Sequence, residues 1–212
     1  AHAVPNKSTL QILNNFLIHL EGNMLEISAT DMDLGVNLNI EVNGLENGKV
    51  VVNAKKLQEV VKSLPNMPLS FTVEDYQVTI QSGSFVANLT GFDAMEFPAL
   101  PTVSANTSLN ISSSELSFLA EKTLFAVSND ITRMALNGVY LEHPEDRVSL
   151  IATDGHRLGK AEIELSGAAW DQGVIIPPKP LSFALRAVKP DTDLEVSMND
   201  SHLCISTDNM QV

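Results

Sequence analysis

The chain of 212 residues, 44% hydrophobic and 18% charged, has the length of one large domain or two of about 100 residues, and a composition that excludes wholesale disorder. It has no apolar run approaching the roughly 18 residues of a membrane span, no secretion signal at its start, and one cysteine, Cys204, which excludes a disulfide framework and a cysteine-rich zinc site and fits a reducing cytoplasm. Thirteen basic against 26 acidic residues give −13, split as 5 − 11 = −6 over residues 1–100 and 8 − 15 = −7 over 101–212, so massed phosphate neutralisation is disfavoured and a sparse basic face is not.

Two alternating strands come first, then a turn at Ala29-Thr30-Asp31 and another strand. Leu57, Val60, Val61 and Leu64 fall at i, i+3, i+4 and i+7, which predicts a helix with one buried stripe, ended by Pro65. Leu69, Phe71 and Val73, then Tyr76, Val78 and Ile80, alternate as a hairpin with its turn at Glu74-Asp75. From Asp93 to Asn110 the chain carries Pro98, Pro101 and a polar run, which suits an extended linker. Ser112 and Glu115 have the spacing of a capping box, and Leu116, Leu119, Ala120, Thr123 and Val127 predict a helix reaching about Ser128.

The pattern then repeats. Leu136-Asn137-Gly138-Val139-Tyr140 echoes Leu13-Asn14-Asn15-Phe16-Leu17, and Leu150-Ile151-Ala152-Thr153-Asp154 echoes Ile27–Asp31, both 123 positions on. Ile176-Pro177-Pro178-Lys179-Pro180-Leu181 answers Val52–Leu57 at an offset of 124, and Leu181, Ala184, Leu185 and Val188 make a second helix stripe ended by Pro190. Leu194, Val196, Met198, Ser201, Leu203 and Ile205 complete a second hairpin around Asn199-Asp200. The expected organisation is a tandem duplication of α+β class, with copies at 1–100 and 111–212 joined by 101–110. The first copy is expected to lack about one strand and most of a helix at its start. The second is expected to stop as its last strand begins, so the sequence reads as a piece of something longer.

Chemistry-bearing constellations are sparse. Asp154 and His156 would need a third partner to hold a metal or run acid–base catalysis, and His19, His143 and His202 have no spacing that gathers them there. Asp154 reads as a turn carboxylate bonding its own backbone, since Asp31 holds that place in the other copy. His156 has no counterpart, because Met32-Asp33 follow Asp31, and reads as partner-specific. No Gly-rich phosphate loop, G-x-S-x-G or C-x-x-C occurs, and Cys204 sits in an alternating strand as a small core residue. No cofactor or metal is expected. Seven of the 13 bases, Lys55, Lys56, Lys62, Lys122, Lys179, Arg186 and Lys189, lie on or beside the three predicted helices. Lys55 and Lys62, like Lys179 and Arg186, are seven apart and share a helix face, in register in both copies. That repetition points to a functional basic face. The competing readings are an acidic two-domain protein-interaction scaffold and a hydrolase using Asp154 and His156.

Ala152-Thr153-Asp154-Gly155-His156-Arg157-Leu158, with Arg133…Leu136-Asn137-Gly138 and Glu96-Phe97-Pro98, resembles the bacterial sliding-clamp family, the beta subunits of DNA polymerase III. The resemblance covers nearly the whole chain as two of the family's three domains, the third being absent. It implies tandem clamp repeats with helices on the inner face of curved antiparallel sheets, and, at full length, a homodimeric ring around duplex DNA. It also implies a cytoplasmic, non-catalytic processivity factor that tethers the DNA polymerase III alpha subunit, the clamp loader and other clamp-binding-motif proteins. By the resemblance, Lys7, Lys55, Lys62, Lys122, Lys179, Arg186 and Lys189 would face DNA. Arg133, Leu136, Thr153, Gly155, His156, Arg157 and Leu158 would form part of a groove for partner peptides, with Leu136 and Leu158 as apolar walls and Arg133 and Arg157 as donors at the rim.

Overall fold

A computed structural model describes residues 4, 10–101, 103, 107–167, 169–170, 172–199 and 202–212. The expected DNA-facing Lys7, the turn residue Asp200 and the hairpin residue Ser201 lie outside the described residues. Antiparallel strands and, among the described residues, three α-helices divide into two units, residues 1–101 with 209–211 and residues 102–208 with 212.

The first unit runs β1 (Asn15–Glu21), β2 (Met24–Thr30), β3 (Gly35–Glu41), β4 (Gly48–Asn53), α1 (Ala54–Ser63), β5 (Ser70–Glu74), β6 (Gln77–Ser82) and β7 (Phe85–Phe92). Its strands hydrogen-bond in the order β5-β6-β7-β4-β1-β2-β3. Alternation points Ile18, Val50, Val52, Val78 and Ile80 to one face, where Leu57 of α1 joins them. Asn53 caps α1 by accepting from the Lys56 amide at 3.1 Å. Two strands, not one, separate the Asp31 turn from α1. The loop dividing them is held to the β1–β2 turn by Gly22 N donating to Asn47 Oδ1 at 2.8 Å and Gly44 N donating to Asn23 Oδ1 at 3.1 Å.

Two other expectations are corrected here. The β5–β6 turn is Asp75-Tyr76, one residue later than the composition suggested, with φ of 46° and 62° and Glu74 paired to Gln77. That geometry is a two-residue type I′ turn, whose right-handed twist matches its strands. Val61 is not part of a buried stripe but 53% exposed, because no second helix lies beside α1 among the described residues.

The second unit runs β8 (Thr107–Ser112), α2 (Ser113–Thr123), β9 (Val139–Glu142), β10 (Arg147–Thr153), β11 (Leu158–Glu164), β12 (Val174–Ile176), α3 (Pro178–Ala187), β13 (Asp193–Met198) and β14 (Leu203–Ser206). The short β15 (Met210–Gln211) pairs with β3 and counts with the first unit. The polar run assigned to the linker enters β8 at Thr107, four residues early, because Leu109 and Ile111 alone suffice to anchor a strand on the core. The capping box is present, with Glu115 N donating to Ser112 Oγ at 3.2 Å and Ser112 N to Glu115 Oε2 at 3.0 Å. The α-helix ends at Thr123, short of Ser128; the Thr123 hydroxyl bonds back to Leu119 O at 2.8 Å and a 3₁₀ turn, Leu124–Ala126, follows.

Here α2 and α3 pack together over the sheets. Leu116, Leu119, Ala120, Leu181 and Ala184 join Leu141, Leu150, Ile176, Leu194, Val196 and Ile205 in one continuous core. Cys204 is half-buried on β14, and burial pushes its thiol up.

Candidate partner groove and basic helix faces

A tight turn joins β10 to β11, and its hydrogen bonds follow from three side chains. Thr153 Oγ1 accepts from Gly155 N at 3.1 Å and donates to Arg157 O at 2.7 Å. Asp154 Oδ1 accepts from the amides of His156 at 2.9 Å and Arg157 at 3.0 Å, while Oδ2 accepts from Arg157 Nε at 3.0 Å. The His156 amide first, then the Arg157 amide, hold the Asp154 carboxyl at about 2. A carboxylate tied down in this way is a poor proton shuttle at neutral pH.

The first unit builds the same turn. Met32 N donates to Thr30 Oγ1 at 3.0 Å, and Asp31 Oδ1 accepts from Asp33 N at 3.1 Å and Leu34 N at 2.8 Å. Met32 has φ +82° where Gly155 has +89°. The two turns differ in what they present, a methionine side chain in one and open space in the other.

The structure brings Thr153, Gly155, His156, Arg157 and Leu158 into one exposed corner, with Leu158 64% exposed. Thr153 and Leu158 face each other across the β10–β11 pair. Arg133 reaches the same corner from the loop before β9, since a Cβ on Gly155 would sit 3.5 Å from its Nη1. Leu136, half-buried, is tied to Arg133 by its amide donating to Arg133 O at 2.8 Å, and its own carbonyl accepts from Ser128 N at 2.9 Å. Nothing gathers His156 with a further metal-ligating set: among the described residues no three His, Cys, Asp or Glu are placed to hold an ion. His143 is buried against Trp170.

Phe125 belongs to this corner and was missed. It is 54% exposed, its ring lies 5.7 Å from the Arg157 guanidinium carbon, and its edge abuts Gly159. The signal was available, since an aromatic residue stood off the Leu116–Val127 stripe.

The helix bases divide by element. In α1, Lys55, Lys56 and Lys62 stand against Glu59, and all three lysines are exposed. In α3, Lys179 and Arg186 are exposed and no acid lies within Pro178–Ala187; Arg186 Nε donates to Ser182 O at 3.0 Å. Lys122 of α2 sits among Glu115 and Glu121, its ammonium 5.9 Å over the Phe118 ring. Lys189 is exposed just beyond α3. Neither α1 nor α3 has an acid in its first turn, where the helix dipole would favour one.

Among the described residues no helix is long and apolar enough to cross a membrane. The family model for the DNA polymerase III beta subunit, N-terminal domain, matches residues 1–101, and that for the central domain matches residues 110–212. The chain is 35% identical over 209 residues to the beta sliding clamp of Caulobacter vibrioides, covering 92% of this chain and 55% of that protein. It is similar to the crystal structure of a Pseudomonas aeruginosa sliding clamp bound to griselimycin, with TM-score 0.92 and 27% identity over 100% of this chain and 58% of that one. The Bacillus subtilis sliding clamp has TM-score 0.92 and 26% identity over 99% and 58%. The chain thus spans little more than half the length of the relatives it matches.

Proposed function

The chain belongs to the DNA polymerase III beta subunit family, and from that premise we propose that it forms the first two domains of a DNA sliding clamp. The protein acts in the cytoplasm as a non-catalytic processivity factor. At the full length of its relatives it closes as a homodimeric ring on duplex DNA, and docks the DNA polymerase III alpha subunit, the clamp loader and other clamp-binding-motif proteins in the groove at Arg133, Leu136 and Thr153–Leu158.

The observation that carries this reading is the recurrence of net positive helix faces on a body of charge −13. A ring held by topology has no need of tight binding. A negative exterior limits adhesion elsewhere, while a weakly positive helix face tolerates phosphate and permits sliding. In this reading Lys55, Lys62, Lys179 and Arg186 face DNA, with Lys7, Lys122 and Lys189 as lesser contributors. Reversing Lys55, Lys62, Lys179 and Arg186 to glutamate should abolish the weak duplex binding expected at about 50 mM salt and leave peptide binding unchanged. Undiminished duplex binding by that variant would return the chain to the scaffold reading.

A further inference from the structure

One segment of the first unit, residues 93–101, is held down at both ends. At its start Asp93 acts as a rivet: Oδ1 accepts from Met95 N at 2.9 Å and Oδ2 from the Tyr76 hydroxyl at 3.1 Å. The 3₁₀ turn Ala94–Glu96 follows, and Phe97, whose amide donates to Ala94 O at 3.1 Å, is buried. Phe97 and Leu100 each precede a proline, which favours extended backbone, and Phe97 has φ −81° and ψ 131°. With Pro98 and Pro101 fixing their own φ, the segment has little freedom to lose on seating.

Leu100 ends on Gly35. A Cβ at position 35 would lie 3.0 Å from Leu100 Cδ2, with Cδ1 at 3.7 Å and Cγ at 3.8 Å, so the leucine fills the space of the missing side chain. Gly35 is not needed by its backbone, since its φ is not positive. What the glycine supplies is room. Gly35 opens β3 opposite Thr30, just as Leu158 opens β11 opposite Thr153. The two turns share their hydrogen bonds, yet Thr30 and Leu34 are buried where Thr153 is half-buried and Arg157 exposed.

We propose that residues 93–101 form a strap whose Leu100 fills a leucine seat at Gly35. The seat takes an extended apolar segment with a leucine three residues after a phenylalanine, and its occupant is the chain's own Phe97–Leu100. While seated, the strap closes the β2–β3 turn to other apolar segments; displacing it opens that turn. This goes beyond the groove reading and does not depend on a peptide at Leu158.

The test is a fluorescence-anisotropy titration with a labelled peptide of residues 93–101, Asp-Ala-Met-Glu-Phe-Pro-Ala-Leu-Pro. It is added to the 212-residue chain, to the double variant Phe97→Ser/Leu100→Ser, and to that variant with Gly35→Leu added. The tethered strap competes at an effective concentration of about 1 mM, so the double variant should bind the peptide about 10-fold more tightly than the parent. Gly35→Leu should remove the gain, and Leu158→Ser should change nothing. A second measurement does not need the double variant to fold. In Leu100→Cys on a Cys204→Ser background, the one thiol should react with an aromatic disulfide reagent about 10-fold more slowly than in the same chain carrying Gly35→Leu. Equal binding by the parent and a folded double variant, or loss of binding with Leu158→Ser, would overturn the strap. So would a thiol at position 100 whose reactivity ignores Gly35→Leu.

Discussion

Position 155 combines open space with an unfavourable backbone. An added Cβ would meet only Arg133 Nη1, at 3.5 Å, an ordinary contact, while φ of +89° strains any L side chain by about 1 kcal/mol or somewhat more. Met32 carries that strain in the matching turn, so the angle alone does not forbid a side chain. Gly155→Trp should therefore fold, lose roughly 1–2 kcal/mol in a thermal melt, and lose peptide binding because the indole covers the corner. Binding equal to the parent's would place the groove elsewhere. Asp154 supplies a second residue-scale test. Its folded carboxyl lies at about 2 against a usual 3.8. A depressed carboxyl contributes stability that is complete above its unfolded value and is lost as pH falls from there through the folded value. The contribution should thus fade between about 4 and about 2, and Asp154→Asn should remove that part of the acid dependence; an unchanged acid profile would contradict the hydrogen bonds assigned to Asp154.

At the scale of elements, the same helix pattern has unequal consequences. Leu119 of α2 and Leu181 of α3 are fully buried because those two helices pack together over the sheets, whereas Val61 of α1 is open. Leu119→Ala should cost about 3 kcal/mol of unfolding free energy. Val61→Ala should stay within about 0.5 kcal/mol, and chemical denaturation of the two variants reads the difference. The repeat, the capping box at Ser112 and Glu115 and both helix stops were legible because each rests on local spacing. The β3–β4 division, the Asp75-Tyr76 turn and the end of α2 at Thr123 were not. Each depends on a contact that spacing does not encode: an asparagine staple between loops, a twist match, and a threonine bonding back to its own helix. The turn at Thr153–Leu158 was legible as a turn. Its neighbours Arg133 and Phe125 arrive from other segments, and only Arg133 was brought in, by resemblance.

For the whole molecule, charge sets the terms of the proposed DNA contact. With 13 bases on a body of −13, few phosphates can be met at once. Affinity for duplex should be weak, indifferent to sequence, and steeply reduced by salt. Nanomolar binding by this chain at about 150 mM salt would be incompatible with so few contacts, and filter binding across a salt series measures it. The central claim concerns topology, and retention on closed DNA tests it most directly. The protein containing this chain, at the length of its clamp relatives, is loaded on nicked circular DNA and passed over a gel-filtration column at high salt, before and after the circle is cut once with a restriction enzyme. A sliding clamp co-elutes with the circle and is lost from the linear molecule. Equal retention on both, or on neither, would contradict the account.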